Sequence, residues 1–136
     1  MIVDTSALLA FYDRNEPRHH DVASCIMQST APLIVSPYVI AELDYLVLTR
    51  HGSLAEQAVL EDLTAGGWYL AAIDASLLRQ AAQLAKQYSD FPLGITDASN
   101  IVLAQEYRTS QILTLDRRHF TAVKTLNGNP LHILPE

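Results

Sequence analysis

The sequence predicts an α/β domain built on a parallel sheet with helices on its faces. Three observations carry that reading. Short apolar runs alternate along the chain with longer stretches of helical pattern, as in strands joined by helical crossovers. The 136 residues match the commonest size for one domain and contain no linker, repeat or low-complexity segment, so 1–136 reads as a single domain. The composition is 49% hydrophobic and 18% charged, which suits a core and argues against disorder.

Each element has its own local reason. Met1 to Val3 is a short apolar run that ends on an acid, Asp4, and Ser6 to Tyr12 follows as a short helix. Pro17 to Ser29 reads as a helix with Val22, Cys25 and Ile26 on its apolar side. Leu33 to Val35, between Pro32 and Pro37, is the second strand. Pro37 suits the first position of a helix over Tyr38 to Arg50, and Gly52 suits its stop. Ser53 with Glu56 three residues on has the form of a capping box, opening a helix that Gly66-Gly67 closes. Trp68 to Ile73 is a third strand, and Asp74 caps a helix running to about Tyr88. Pro92 and Gly94 break the chain. Thr96 then caps a helix to Tyr107, Ile112 to Leu115 is a strand, and a short helix runs from Arg117 to about Val123. Leu131 to Leu134 is the last strand.

Composition narrows the function. No apolar run is long enough to span a bilayer, and Met1-Ile2-Val3-Asp4 lacks the basic flank of a signal peptide. The single cysteine, Cys25, excludes an internal disulfide and fits a reducing, cytoplasmic setting. A net charge of −6 is awkward for binding nucleic acid. Two things reconcile it: acids that serve as metal ligands, or bases gathered on one face. Arg108, Arg117, Arg118 and Lys124 do cluster in the last quarter of the chain.

In open parallel sheets ligands bind beyond the carboxyl ends of the strands, near a topological switch point. Asp4 and Asp116 each directly follow a strand there, although a helix cap explains either equally well. Glu42 sits among Val39, Ile40, Leu43, Leu46 and Val47, so it is either on a solvent stripe or a partly buried acid in need of a partner. Asp97 in a first helical turn is favoured by the helix dipole, and that alone explains it. Asn100 lies one turn along on the same face, placed to orient that acid or a metal-bound water. Hydroxyls accompany the acids in Asp4-Thr5-Ser6, Thr96-Asp97 and Thr114-Leu115-Asp116, where they can hold a carboxylate in one rotamer.

Four segments together resemble the motifs of PIN-domain proteins, with the VapC toxins nearest. They are Met1-Ile2-Val3-Asp4-Thr5-Ser6-Ala7-Leu8-Leu9, Val35-Ser36-Pro37-Tyr38-Val39-Ile40-Ala41-Glu42-Leu43, Gly94-Ile95-Thr96-Asp97-Ala98 and Leu113-Thr114-Leu115-Asp116-Arg117-Arg118-His119-Phe120. Each is weak alone, but the four occur in order across essentially the whole chain. The resemblance implies a three-layer α/β/α fold with a central parallel sheet. It puts the family's acidic quartet on Asp4, Glu42, Asp97 and Asp116, with Ser6 and Thr114 as supporting hydroxyls. It also implies a metal-dependent endoribonuclease acting on structured RNA such as tRNA or rRNA, neutralised by a VapB-like antitoxin, and usually a homodimer.

An all-carboxylate set with no organised His or Cys points to Mg²⁺ or Mn²⁺. On that reading Asp4 and Asp97 are the main ligands, and Glu42 and Asp116 ligate directly or through water, across one or two ions. Without metal the packed acids should repel, raising at least one pKa. Arg117, Arg118 and His119 are the candidate phosphate contacts near Asp116, though a solvated turn explains them as well. His19-His20 reads as solvated. Tyr12, Tyr38, Tyr45 and Trp68 read as core or dimer contacts. Apolar surface on the Tyr38 to Arg50 and Ser53 to Ala65 helices suits a dimer seam or an antitoxin helix.

Competing readings fit less well. An aspartyl-nucleophile phosphatase wants a second acid two residues after the first, where Ser6 stands. A signalling receiver wants paired acids at the first strand and a late lysine, and neither is here. A catalytically inactive PIN-fold module that binds RNA or protein remains the alternative, and the complete quartet argues against it.

Overall fold

The structure, a computed structural model, describes residues 1–90, 93–121, 123 and 128–136. The expected strand Met1 to Val3 is β1 (Ile2–Val3), and β2 (Ile34–Val35), β3 (Tyr69–Leu70), β4 (Gln111–Leu113) and β5 (His132–Leu134) fall in the other four predicted runs. The five form one sheet in the order β3-β2-β1-β4-β5. Every pairing is parallel. The helices are α1 (Thr5–Tyr12), α2 (His19–Gln28), α3 (Pro37–His51), α4 (Ser53–Leu63), α5 (Ala75–Gln87), α6 (Ile95–Glu106) and α7 (Arg117–Thr121).

Strand alternation builds the three layers. Successive strand side chains point to opposite faces. Ile2, Ile34, Ile112 and Ile133 face a core completed by Ala81 and Leu84 of α5, Ile101 of α6 and Phe120 of α7. Val3, Val35 and Leu113 face a second core with Leu8, Val22, Leu43 and Val59 from α1, α2, α3 and α4. Both faces are covered, which is why the strands read as continuous β-branched runs rather than alternating ones. A three-layer α/β/α fold results, as the sequence led us to expect.

Several local expectations change. The capping box at Ser53 does not form. Gly52, at φ +88°, ends α3 and precedes α4, leaving Ser53 as the first residue of the helix without a side-chain cap. Glu56 instead feels the Asp44 carboxyl of α3, which raises its pKa. Thr96 is not the cap of α6: the first helical bond runs from Ala98 N–H to the Gly94 carbonyl at 2.9 Å, so the helix starts one residue earlier. The third strand shrinks to Tyr69–Leu70 at the sheet edge, bonded only to β2. His19 is half-buried, its Nδ1 2.7 Å from the Ala10 carbonyl, so it ties α2 to α1. The predicted cap Asp74 and the predicted first helical position Pro37 stand: Asp74 accepts from Leu77 N–H at 2.9 Å, and Pro37 opens α3 after its cap, Ser36. Pro92 and Lys124 lie outside the described residues.

The sheet order puts the topological switch between β1 and β4. The chain runs from β1 outward to β3, then returns to β1's other side for β4 and β5. The register pairs Ile2 with Ile112 and Val3 with Leu113. The next positions, Asp4 and Thr114, therefore meet at the carboxyl edge, where Asp4 N–H donates to the Leu113 carbonyl at 3.0 Å.

Candidate active site

Asp4 leaves β1 at the helix-cap position of α1, yet its carboxylate caps nothing. It is nearly buried, at 5% exposure, and turns toward the switch point instead. The Asn100 carboxamide of α6 donates to Oδ1 at 2.9 Å. The Thr114 hydroxyl donates to Oδ2 at 2.8 Å, and Ser6 reaches the same oxygen at 3.4 Å. Ser6 and Thr114 are themselves 3.1 Å apart. Ser6 Oγ accepts from Leu115 N–H at 2.9 Å and Thr114 Oγ1 from Asp116 N–H at 3.0 Å. The two hydroxyls thus fasten Asp4 to the strand exit that carries Asp116. Asn100 serves Asp4 rather than Asp97, because its place on α6 faces the end of β1.

Asp97 stands in the first turn of α6. Its Oδ2 lies 2.5 Å from His119 Nδ1. Asp116 approaches the same ring nitrogen, with Oδ2 3.7 Å away, and its Oδ1 is 3.5 Å from Arg118 Nε. Glu42 is exposed on α3. One open cavity of about 290 Å³ is lined by Asp4, Glu42, Asp97, Asp116 and His119, with Thr5, Ser6 and Thr96 around them.

The electrostatics follow from this crowding. Burial pushes the Asp4 carboxyl up to about 6; the Thr114 hydrogen bond opposes the rise, and the Asp97 and Glu42 charges add to it. Asp97 is also raised, first by burial; His119 opposes that rise, while Asp116 and Glu42 add to it. Acids from four distant segments therefore feel one another through a shared pocket.

The donor set tests which ion would suit it. Among the described residues, no three His, Cys, Asp or Glu side chains are arranged to hold a metal ion by themselves. A dry protein cage, as for structural zinc, does not fit. Oxygen donors around an open cavity, two of them with pKa values raised by burial and by neighbouring acids, do fit Mg²⁺ or Mn²⁺. Magnesium keeps several of its waters and needs only one or two carboxylates in direct contact.

Of the residues singled out in the sequence, Arg117 turns away from the cavity: its Nη1 donates to the Pro135 carbonyl at 3.0 Å, fastening α7 to the end of β5. Arg118 is almost fully exposed beside Asp116. His119, expected only as a phosphate contact near Asp116, stands against Asp97 as well.

The family model for the PIN domain matches residues 1–126. Ribonuclease VapC26 of Mycobacterium tuberculosis is 53% identical over 135 residues, covering 99% of this chain and 100% of that protein. Among solved structures, VapC20 of Mycobacterium tuberculosis, described as a sarcin-ricin loop cleaving toxin, superposes with a TM-score of 0.78 at 19% identity, covering 85% of this chain and 88% of that one. VapBC2 of Rickettsia felis, solved bound to a DNA fragment from its promoter, gives 0.71 at 14% identity, with 98% of each chain covered. At these identities the structural likenesses speak for the fold.

Proposed function

We propose that this chain, which belongs to the PIN-domain family and is a homologue of the VapC ribonuclease toxins, is the endoribonuclease of a toxin–antitoxin pair. The observation that carries the reading is the convergence of Asp4, Glu42, Asp97 and Asp116 on one cavity at the switch point of the sheet.

Hydrolysing a phosphodiester adds negative charge to a group that is already anionic, and four carboxylates alone would repel it. A divalent ion is therefore part of the proposal, with Asp4 and Asp97 as direct ligands and Glu42 and Asp116 acting through water. When bound, such an ion supplies Lewis-acid stabilisation and acidifies water. The protein's own groups do the rest. Asn100 and Thr114 hold both oxygens of Asp4 in one orientation. His119 does the same for Asp97. Exposed Glu42 and half-exposed Asp116 both line the cavity, where either can orient an attacking water. Arg118, exposed beside Asp116, is better placed to meet an RNA phosphate than Arg117, whose guanidinium is bonded to the Pro135 carbonyl.

Structured RNA is the proposed substrate class, supported by the name of the VapC20 neighbour. The proposed partner is a VapB-like antitoxin, supported by the neighbours solved as toxin–antitoxin assemblies. Its helix would lie along a groove of about 260 Å³ between α1 and the α3–α4 hairpin, floored by Leu9, Val47, Ala55 and Val59. Exposed Tyr45, Leu48 and Leu54 on α3 and α4 suit a homodimer seam. A cytoplasmic site of action agrees with the lone cysteine, and no described helix is long and apolar enough to cross a membrane.

The deciding experiment titrates MgCl₂ and MnCl₂ into an RNA cleavage assay with wild type and Asp97→Asn, then maps new 5′ ends in total RNA after brief expression. Site-specific ends that need both the metal and Asp97 are expected. Equal cleavage by the two proteins would end the nuclease reading.

A further inference from the structure

Glu42 and Asp97 ride on different helices, and their charges push apart. Something must hold α3 and α6 in register against that force. The two helices meet at a pair of fully buried hydroxyls: Ser36, just before α3, and Ser99, on α6, with their Oγ atoms 2.8 Å apart. Neither belongs to the acid cluster or lines its cavity.

Proton counting fixes the direction of this contact. Ser99 Oγ lies 2.6 Å from the Thr96 carbonyl, which can only accept, so the single Ser99 proton goes there. Ser36 must then donate to Ser99. Ser36 Oγ also accepts from Tyr38 N–H at 3.1 Å, capping α3. The result is one chain of donors: Tyr38 N–H to Ser36, Ser36 to Ser99, Ser99 to the Thr96 carbonyl. It runs from the first turn of α3, the helix of Glu42, to the first turn of α6, beside Asp97 and Asn100. No proton is left over and no alternative direction satisfies every group. Such a chain allows one spacing between the helices, whereas apolar contacts alone would let them slide.

We propose that Ser36 and Ser99 are positioning residues for the acid cluster, setting the Glu42-to-Asp97 separation and thereby metal affinity. The inference rests on the metal-dependent reading above, and it assigns the pair a role beyond helix stability.

The test measures Mn²⁺ affinity by electron paramagnetic resonance of free MnCl₂, with thermal melts run in parallel. Ser99→Ala should weaken Mn²⁺ binding about 10–100-fold, the usual effect of removing a group that orients a ligand. Asp74→Ala, which removes the cap of distant α5, serves as the stability control: it should lower Tm while Mn²⁺ affinity stays at the wild-type value. The Ser36→Ala/Ser99→Ala double variant removes both partners, so no hydroxyl is orphaned. It should melt below wild type, because α3 also loses its Ser36 cap, and still bind Mn²⁺ weakly. It also covers the case in which the single variant does not fold. Affinity within about twofold of wild type in the folded serine variants, or affinity that merely tracks Tm across the whole set, overturns the positioning role. Wild type that binds no Mn²⁺ overturns the metal site itself, and this inference with it.

Discussion

The Asn100 carboxamide of α6 donates to the carboxylate of Asp4, 96 residues earlier, at 2.9 Å, with both side chains buried. If Asp4 is an ion ligand, Asn100→Ala removes one of its two strongest restraints and leaves a buried carboxylate short of a donor. Stability should fall by about 1–3 kcal/mol. Cleavage should fall about 10–100-fold. Urea melts and an RNA cleavage time course check both; unchanged cleavage would mean that Asp4 needs no orientation.

Asp97→Asn separates activity from stability. The amide keeps the shape of the side chain and can still face His119, but it removes one of the mutually repelling charges. The metal-free variant should be at least as stable as wild type. Its cleavage should drop by a factor of at least about 100, or about 3 kcal/mol of barrier. A variant that unfolds instead would make Asp97 a structural acid.

The pH dependence of the metal-free protein follows from Asp4. Its carboxyl is raised from 3.8 to about 6 in the folded state, so between those values the native chain binds more protons than the unfolded one. Stability from this group is full below pH 3.8 and is lost as pH climbs through 6, with about 3 kcal/mol as the upper end of the change. Asp97, also raised, adds to the loss in the same direction. Melts in EDTA should therefore lose more on going from pH 4.5 to pH 7 than those of Asp4→Asn. Identical pH profiles would show that the acid pocket is not under strain.

Metal should reverse that loss. At pH 7, MnCl₂ at about 100 times its Kd should add about 2.7 kcal/mol to wild type. It should add almost nothing to Asp4→Asn. A wild-type Tm that ignores MnCl₂ would contradict the proposed ion site.

The parts of this molecule readable from sequence are those whose cause is local. Asp4 and Asp116 stand out because each ends an apolar run, and parallel strands deliver such residues to one edge. Asp74 and Pro37 were legible as helix starts because capping chemistry acts within one turn. What stayed hidden depends on partners far along the chain. His119 meets Asp97 across 22 residues and Ser36 meets Ser99 across 63, and no spacing rule anticipates either. The capping box at Ser53 misled because Gly52 takes the cap position and Ser53 is already the first residue of the helix. Likewise, the apparent cap Thr96 lost to Gly94, where the first helical bond already begins.

The Thr114 hydroxyl that grips Asp4 comes from 110 positions downstream. A nascent chain consequently emerges from the ribosome without an assembled pocket until most of its length has been made. Prematurely terminated products ending before that strand carry Asp4 without Thr114 or Asp116. Synthesis of an RNA-cutting enzyme by the machinery that depends on RNA is in this way protected by topology: the blade closes only when the last third of the polypeptide is in place.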